Sequence, residues 1–108
     1  MRFKPDRSLA DLVRAELIDY DRRAAEIDRL PPEDPIRQAH IEKNALIDAA
    51  AQAALADCLA PNLAAIIRDD VKNGTGYAYT QMVFCGSQSY KAYKRRMIWS
   101  IAHALRLI

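Results

Sequence analysis

The chain has 108 residues, of which 51% are hydrophobic and 28% charged, and it has only three glycines. This composition is typical of one small folded domain and excludes a disordered tail. Cys58 and Cys85 show no CxxC or other paired spacing, so neither a disulfide framework nor a zinc knuckle is indicated. The N-terminal sequence has no apolar run like that of a signal peptide, and no window approaches the roughly 18 apolar residues of a membrane span. We therefore expect a cytoplasmic protein without a membrane partner.

The overall charge of +2 conceals two segments of opposite sign. Residues 1–70 carry ten Lys and Arg against fourteen Asp and Glu, which gives a net charge of −4. Residues 71–108 carry six cations and no carboxylate, which gives +6; the cations are Lys72, Lys91, Lys94, Arg95, Arg96 and Arg106. Such an asymmetry indicates a polyanionic partner.

A first helix is predicted to start at Ser8, whose hydroxyl can accept from the free N–H groups of the first turn. Apolar residues then recur at steps of 4, 3, 4 and 3, at Val13, Leu17, Tyr20, Ala24 and Ile27. These positions form a narrow seam on one helix face, and the seam needs a partner helix. The charged residues between them, Arg23 included, are expected on the solvated faces.

The segment LPPEDP, residues 30–35, must end this helix, because proline lacks an N–H and disfavours helical geometry in the preceding residue. Asp34 is a predicted cap and Pro35 a predicted first residue of a second helix. The short connection favours an antiparallel helical hairpin. The predicted inner positions of the second helix are Ile36, His40, Leu46, Ile47, Ala50, Ala54, Leu55, Cys58 and Leu59.

Pro61 separates the second helix from a shorter third one over residues 62–71, with Asn62 as its cap. Its expected inward residues are Leu63, Ile66 and Ile67, and the segment Asn73–Gly76 ends it. Residues 77–85 have room for two helical turns, although their aromatic and β-branched residues also suit a strand. Helix is the interpretation we favour there.

A last helix is predicted from a cap at Ser87 to about Leu107, with Tyr90, Met97, Ile101 and Leu105 along one face. A short helix, a glycine-containing turn and a capped basic helix together give the outline of a helix-turn-helix. The predicted fold is therefore all-α. We expect residues 1–60 to form a helical hairpin that could serve as a dimerisation or partner-binding arm, and residues 61–108 to form a helix-turn-helix unit within one compact domain.

The C-terminal segment SQSYKAYKRRMIWSIAHALRL, residues 87–107, resembles the end of ArpU and RinA type phage transcriptional regulators. The segments LIDYDRRAAEIDRL, residues 17–30, and LAPNLAAIIRDDV, residues 59–71, are similar to earlier parts of that family in the same order. The resemblance implies a sigma-region-four-like helix-turn-helix and a small DNA-binding regulator of late phage or prophage genes. Its partners would be duplex DNA, RNA polymerase and a second copy of the chain.

The predicted DNA-binding residues lie on the last helix. Candidates for contact with base edges are Gln88, Ser89, Lys91, Ala92 and Arg95, and candidates for contact with phosphates are Ser87, Lys94 and Arg96. A solvated basic face without a ligand is the alternative. Tyr90 and Tyr93 suit the core at this spacing, although they could also stack on bases. Candidates for an oligomer or partner interface are Val13, Leu17, Tyr20, Ile27 and Trp99.

No catalytic residue, metal or cofactor is predicted. His40 and His103 have no carboxylate or cysteine at ligand spacing, and no nucleophile or glycine-rich phosphate loop accompanies the carboxylates. Enzymatic activity is therefore not expected. The alternative functions are a helical protein–protein interaction module, in which the acidic hairpin is the working surface, and a phage packaging or assembly adaptor.

Overall fold

A computed structural model describes residues 7–57, 62–74 and 87–108, and within these ranges the chain is helical with short turns. The helices are α1 (Arg7–Arg29), α2 (Pro35–Ala54), α3 (Leu63–Asn73) and α4 (Ser87–Ala104). The all-α prediction is therefore confirmed. The predictions for residues 77–85, for Cys58 and for Leu59 fall outside the described residues, so the first helix of the expected helix-turn-helix stays a prediction.

None of the described helices combines the length and the apolar character that crossing a membrane would require.

The start of α2 and the end of α3 follow the local sequence signals, whereas α1 already includes Arg7 before the predicted start at Ser8 and α4 ends at Ala104 rather than near Leu107. The Asp34 carboxylate accepts a 2.8 Å hydrogen bond from the N–H of Ile36, and Pro35 occupies the first turn, as predicted. Gly74 ends α3 in the left-handed region at φ 71°, where glycine has no Cβ to clash. Asn62 stands at the N-cap of α3 but is itself left-handed at φ 62°, and its side chain makes no cap hydrogen bond. Asn62 therefore occupies the predicted cap position, and its backbone carbonyl accepts from the N–H of Ile66, but its side chain does not cap the helix.

One hydrophobic core joins the described parts of the chain. α4 packs against the other three helices, most extensively against α2. The buried apolar residues are Leu9, Val13, Leu17, Ile47, Ala50, Ala51, Leu55, Leu63, Ile67, Val71, Tyr90, Met97, Ile98, Ile101 and Ala102. Residues on both sides of position 60 thus contribute to the same core, and the partner of the α1 seam is the chain's own α2, α3 and α4.

α1 and α2 run antiparallel, as contacts that pair early residues of α2 with late residues of α1 demonstrate. Arg37 donates to the carbonyl of Ile27 at 3.0 Å, and Asn44 donates to the carbonyl of Tyr20 at 3.2 Å. No residue from 24 to 43 is buried, so this end of the pair, which we call the hairpin tip, projects beyond the core.

Three sequence predictions about burial were wrong. Ile36 is 55% exposed because it belongs to the hairpin tip, where α3 and α4 do not reach. Leu46 is 49% exposed because it lies about 100° around α2 from Ile47, which is buried. Arg23 was expected in solvent and is only 2% exposed, because it lies at the end of the core and finds polar partners there.

These partners enclose the Arg23 guanidinium. Nε donates to the side-chain oxygen of Asn44 at 2.7 Å, Nη1 donates to Glu16 and Asp19 at 3.2 and 2.9 Å, and Nη2 donates to the backbone carbonyl of Glu16 at 3.1 Å. A buried charge is tolerated only when it is paired and hydrogen-bonded in this way. Arg23 and Asn44 therefore form the polar end of the core, next to the hairpin tip.

Candidate nucleic-acid interface

We call the exposed side of α4 the outer face, and its residues recur at helical spacing. The described residues that line a concave surface of about 750 Å³ there all come from α4; they are Gln88, Ser89, Lys91, Ala92, Arg95, Arg96 and Trp99. All five residues predicted to face bases belong to this set. Ala92 and Arg95 are half-buried, and the other members are exposed.

The opposite side of α4 anchors the helix in the core. Tyr90 is 1% exposed, and Met97 and Ile101 are completely buried. This places Tyr90 in the core, which was the first of its two alternatives. Side chains fixed by packing hold a helix in one orientation, so the outer face is presented on a rigid element.

Lys94 and Asp70 form an ion pair between α4 and α3. The Lys94 ammonium is 3.1 Å from Oδ1 of Asp70, and the Tyr90 hydroxyl donates to Oδ2 at 2.6 Å. Asp70 is 1% exposed, whereas the Lys94 side chain is 30% exposed. A buried carboxylate depends on its donors for stability, so Lys94 has a structural role in this fold. Its predicted contact with phosphate would compete with that role.

Arg96 also has a carboxylate partner. Its Nη2 and Nη1 atoms are 3.1 and 3.3 Å from the two side-chain oxygens of Asp57, which follows the end of α2. Its guanidinium carbon lies 4.6 Å from the centroid of the Tyr93 ring, a cation–π contact. Tyr93 therefore packs beneath Arg96 and is half-buried.

Lys91 and Arg95 differ from these two cations. Within residues 7–57, 62–74 and 87–108, neither of them forms an ion pair. Both border the concave surface. The outer face thus presents two cations without a described internal carboxylate, beside the polar side chains of Gln88 and Ser89. The side chain of Ser87, a predicted phosphate contact, is outside the described residues.

An aromatic pair lies at the end of the outer face. Trp99 is 38% exposed, and its ring stacks on that of His103 with centroids 6.1 Å apart and planes 24° apart. Of the five predicted interface residues, Trp99 is the most exposed. Val13 and Leu17 are 0% and 2% exposed in the core of the single chain, which makes them unavailable to a partner in this fold.

Tyr20 and Ile27, the other two interface candidates, are half-buried on α1. The Tyr20 hydroxyl donates to Asp48 at 3.0 Å, and the guanidinium of Arg68 lies 4.5 Å from the centre of the ring. Burial raises the pKa of the Tyr20 phenol above its usual value, and the hydrogen bond to Asp48 adds to the shift. Tyr20 thus links α1 to α2 and α3 through these two contacts.

Sequence reasoning missed Asp57 and Asp70 as partners of α4. They stand 39 and 24 positions before the cations that they bind, so no local spacing could have revealed the pairs. In the described part of the chain, no group of three or more His, Cys, Asp or Glu side chains could hold a metal ion.

Comparisons with protein-family models, with curated proteins and with solved structures yield no match to this chain.

Proposed function

We propose that the protein binds duplex DNA through the outer face of α4 and acts as a small transcriptional regulator of the phage or prophage type. One observation carries the proposal: Gln88, Lys91 and Arg95 share one accessible face of a helix whose opposite face is locked in the core. A helix presented in this way fits the major groove, where glutamine pairs with adenine edges and arginine with guanine edges.

The charge distribution supports the same partner. Residues 71–108 contain no carboxylate, so the outer face meets a polyanion without repulsion from its own segment. Lys91 and Arg95 can contact DNA without first giving up an ion pair within the described residues. RNA polymerase or a second copy of the chain would contact the hairpin tip or Trp99, which are accessible.

A salt titration tests DNA binding. Fluorescence anisotropy of a labelled 30-base-pair duplex of mixed sequence, from about 25 to 200 mM KCl, should give an affinity that falls steeply with salt. Lys91→Ala and Arg95→Ala should each make the salt slope shallower by about one counterion. Arg29→Ala removes the same charge from an exposed position at the end of α1, so it serves as the matched control and should leave the slope close to that of the parent.

Selection from a pool of randomised duplexes then tests base recognition. Gln88→Ala and Arg95→Ala should lower the preference for the selected site by about 1–3 kcal/mol, with a smaller effect on other duplexes. If the parent does not bind duplex DNA at the lowest salt, or if Arg29→Ala weakens binding as much as Arg95→Ala, the proposal is wrong.

A second candidate function is a helical protein–protein interaction module or a phage packaging or assembly adaptor. The observation that favours it is the pairing of Lys94 and Arg96 with Asp70 and Asp57, because part of the basic cluster is thereby neutralised inside the chain. An interaction module would show no salt-dependent affinity for duplex DNA. An adaptor that handles DNA would bind duplexes without a preferred sequence in the selection.

A further inference from the structure

Arg96 borders the outer face of α4 and is held there in a defined orientation. Two of its nitrogens meet the two oxygens of Asp57 at 3.1 and 3.3 Å, and Tyr93 supports the guanidinium from below at 4.6 Å. A planar guanidinium presents the same pair of donors to a carboxylate and to a phosphate. Asp57 therefore occupies the donors that a nucleic-acid phosphate would use.

Arg96 can exchange Asp57 for another acceptor, whereas Lys94 cannot easily exchange Asp70. The Arg96 and Asp57 side chains are 44% and 69% exposed, so water already reaches both partners. Pairs of this kind contribute little to stability, and opening one leaves no charge buried. Asp70, by contrast, is 1% exposed and would lose a donor in a dry environment if Lys94 turned to the solvent.

We propose that Asp57 is an intramolecular competitor of phosphate for Arg96 and so limits the affinity of the outer face for DNA. The inference rests on the proposed function. Lys91 and Arg95 make the first contacts with the polyanion, and Arg96 joins them only when phosphate displaces Asp57. The carboxylate opposes binding in two ways, because it occupies the guanidinium and because its charge repels an approaching phosphate.

Asp57→Asn tests the competition, with Asp48→Asn as the matched control. Asp48 is also an exposed carboxylate of the α2 region paired with an arginine, Arg68, and its side chain is 51% exposed; it accepts from the Tyr20 hydroxyl as well, a bond that the amide oxygen of the variant can still accept. The two variants therefore gain the same charge relative to the parent, while only Asp57→Asn releases a cation beside the outer face. Urea denaturation first verifies that both variants keep the stability of the parent.

Binding is measured by anisotropy with the 30-base-pair duplex of mixed sequence. At about 50 mM KCl, Asp57→Asn should bind about twofold to fivefold more tightly than the parent, and its salt slope should be steeper by about one counterion. Asp48→Asn should show a smaller gain and an unchanged slope. In an Arg96→Ala background, Asp57→Asn should add less affinity than it adds to the parent and should leave the salt slope unchanged, because only the repulsion of phosphate is then relieved.

The outcomes separate the two proposals. If the parent binds with a steep salt dependence but Asp57→Asn and Asp48→Asn behave alike, the competition is disproved and the proposed function stands. A gain from Asp57→Asn that persists in full without Arg96 also overturns the competition. If neither the parent nor Asp57→Asn binds duplex DNA at 25 mM KCl, both proposals fail.

Discussion

The hydroxyl of Tyr90 donates a 2.6 Å hydrogen bond to Oδ2 of Asp70, and each of the two residues is only 1% exposed. Tyr90 lies in the first turn of α4, and Asp70 lies near the end of α3. The bond thus connects the start of the proposed DNA-reading helix to the helix that precedes it in the described fold. With Lys94 on the other carboxylate oxygen, it fixes the rotation of α4 about its own axis.

Tyr90→Phe should therefore destabilise the protein although it keeps the aromatic ring. The substitution removes one donor from a buried carboxylate, and such a loss costs about 1–3 kcal/mol in the free energy of unfolding. Urea denaturation followed by circular dichroism measures this change. Tyr93→Phe, on the half-buried ring beneath Arg96, is the control and should cost less. Equal stability of the two variants would contradict a supporting role of the Tyr90 hydroxyl.

Lys94 and Arg96 should differ in their effect on stability, although both are cations of α4 paired with aspartate. Lys94→Ala removes a charged donor from the buried Asp70 and should cost about 1–3 kcal/mol, a value kept modest because the ammonium is partly solvated. Arg96→Ala breaks a pair in which both side chains are exposed and should change the urea midpoint little. A loss of stability in Arg96→Ala as large as in Lys94→Ala would show that exposure does not separate the two pairs.

The sequence was sufficient for the helices because their signals are local. The proline break and the Asp34 cap define the start of α2, and the glycine at position 74 marks the end of α3. The periodicity of Tyr90, Met97 and Ile101 likewise defines the buried side of α4. Once that side is known, helical geometry places Gln88 and its neighbours on the outer face.

The polar contacts could not be predicted, because each depends on residues that only the tertiary fold brings together. Arg23 belongs to a stretch of alternating charges that is typical of a solvated helix face. Its burial follows from Asn44, 21 positions away, whose side-chain oxygen accepts from it. For the same reason, the carboxylate partners of Lys94 and Arg96 could not be predicted from the sequence. Sequence periodicity identifies the helix face on which a cation lies. Which distant carboxylate contacts that cation depends on how the helices pack.

Adjacent arginines of α1 offer a direct test of the buried network. Arg23→Met keeps much of the side-chain volume, but it leaves Asn44 without its charged donor and leaves Glu16 with Lys43 as its remaining cation. It should lower the free energy of unfolding by about 3 kcal/mol, the low end for breaking a buried pair, because Glu16 stays partly accessible to water. Arg22→Met is the control: the Arg22 side chain is 53% exposed, so the loss of its bonds to Asp19 and Glu26 should lower the free energy of unfolding by much less than Arg23→Met does. A stable Arg23→Met variant would show that the network is replaceable by apolar packing.

Leu17 and Leu12 provide the corresponding test of the seam on α1. Leu17 is 2% exposed and Leu12 is 50% exposed on the same helix. Leu17→Asp places a charge in the core of the single chain. It should abolish cooperative unfolding or lower the urea midpoint far below that of the parent. Leu12→Asp should keep the helical circular dichroism spectrum and most of the stability. If Leu17→Asp changes only the mass in solution and leaves stability intact, the seam faces a second copy rather than the chain's own helices.

Acid sensitivity should depend on Asp19, which joins Arg22 to Arg23. The hydrogen bond from Arg22 is the main reason why the pKa of Asp19 is lowered from 3.8 to about 2, and the charge of Arg23 contributes as well. Because the unfolded chain binds a proton at Asp19 at higher pH than the folded chain does, acid favours unfolding. The stabilisation is present above about pH 4 and is lost as the pH falls towards 2.

Urea midpoints measured between pH 5 and pH 2 test this dependence. Asp19→Asn should be less stable than the parent at pH 5, yet its midpoint should fall less as the pH is lowered, so that the two proteins converge near pH 2. Some slope should persist in the variant, because the hydrogen bond from His40 also lowers the pKa of Glu26. Asp28→Asn, at an exposed position of the same helix, is the control and should keep most of the acid sensitivity of the parent. Parallel curves for Asp19→Asn and the parent would mean that Asp19 does not link protonation to folding.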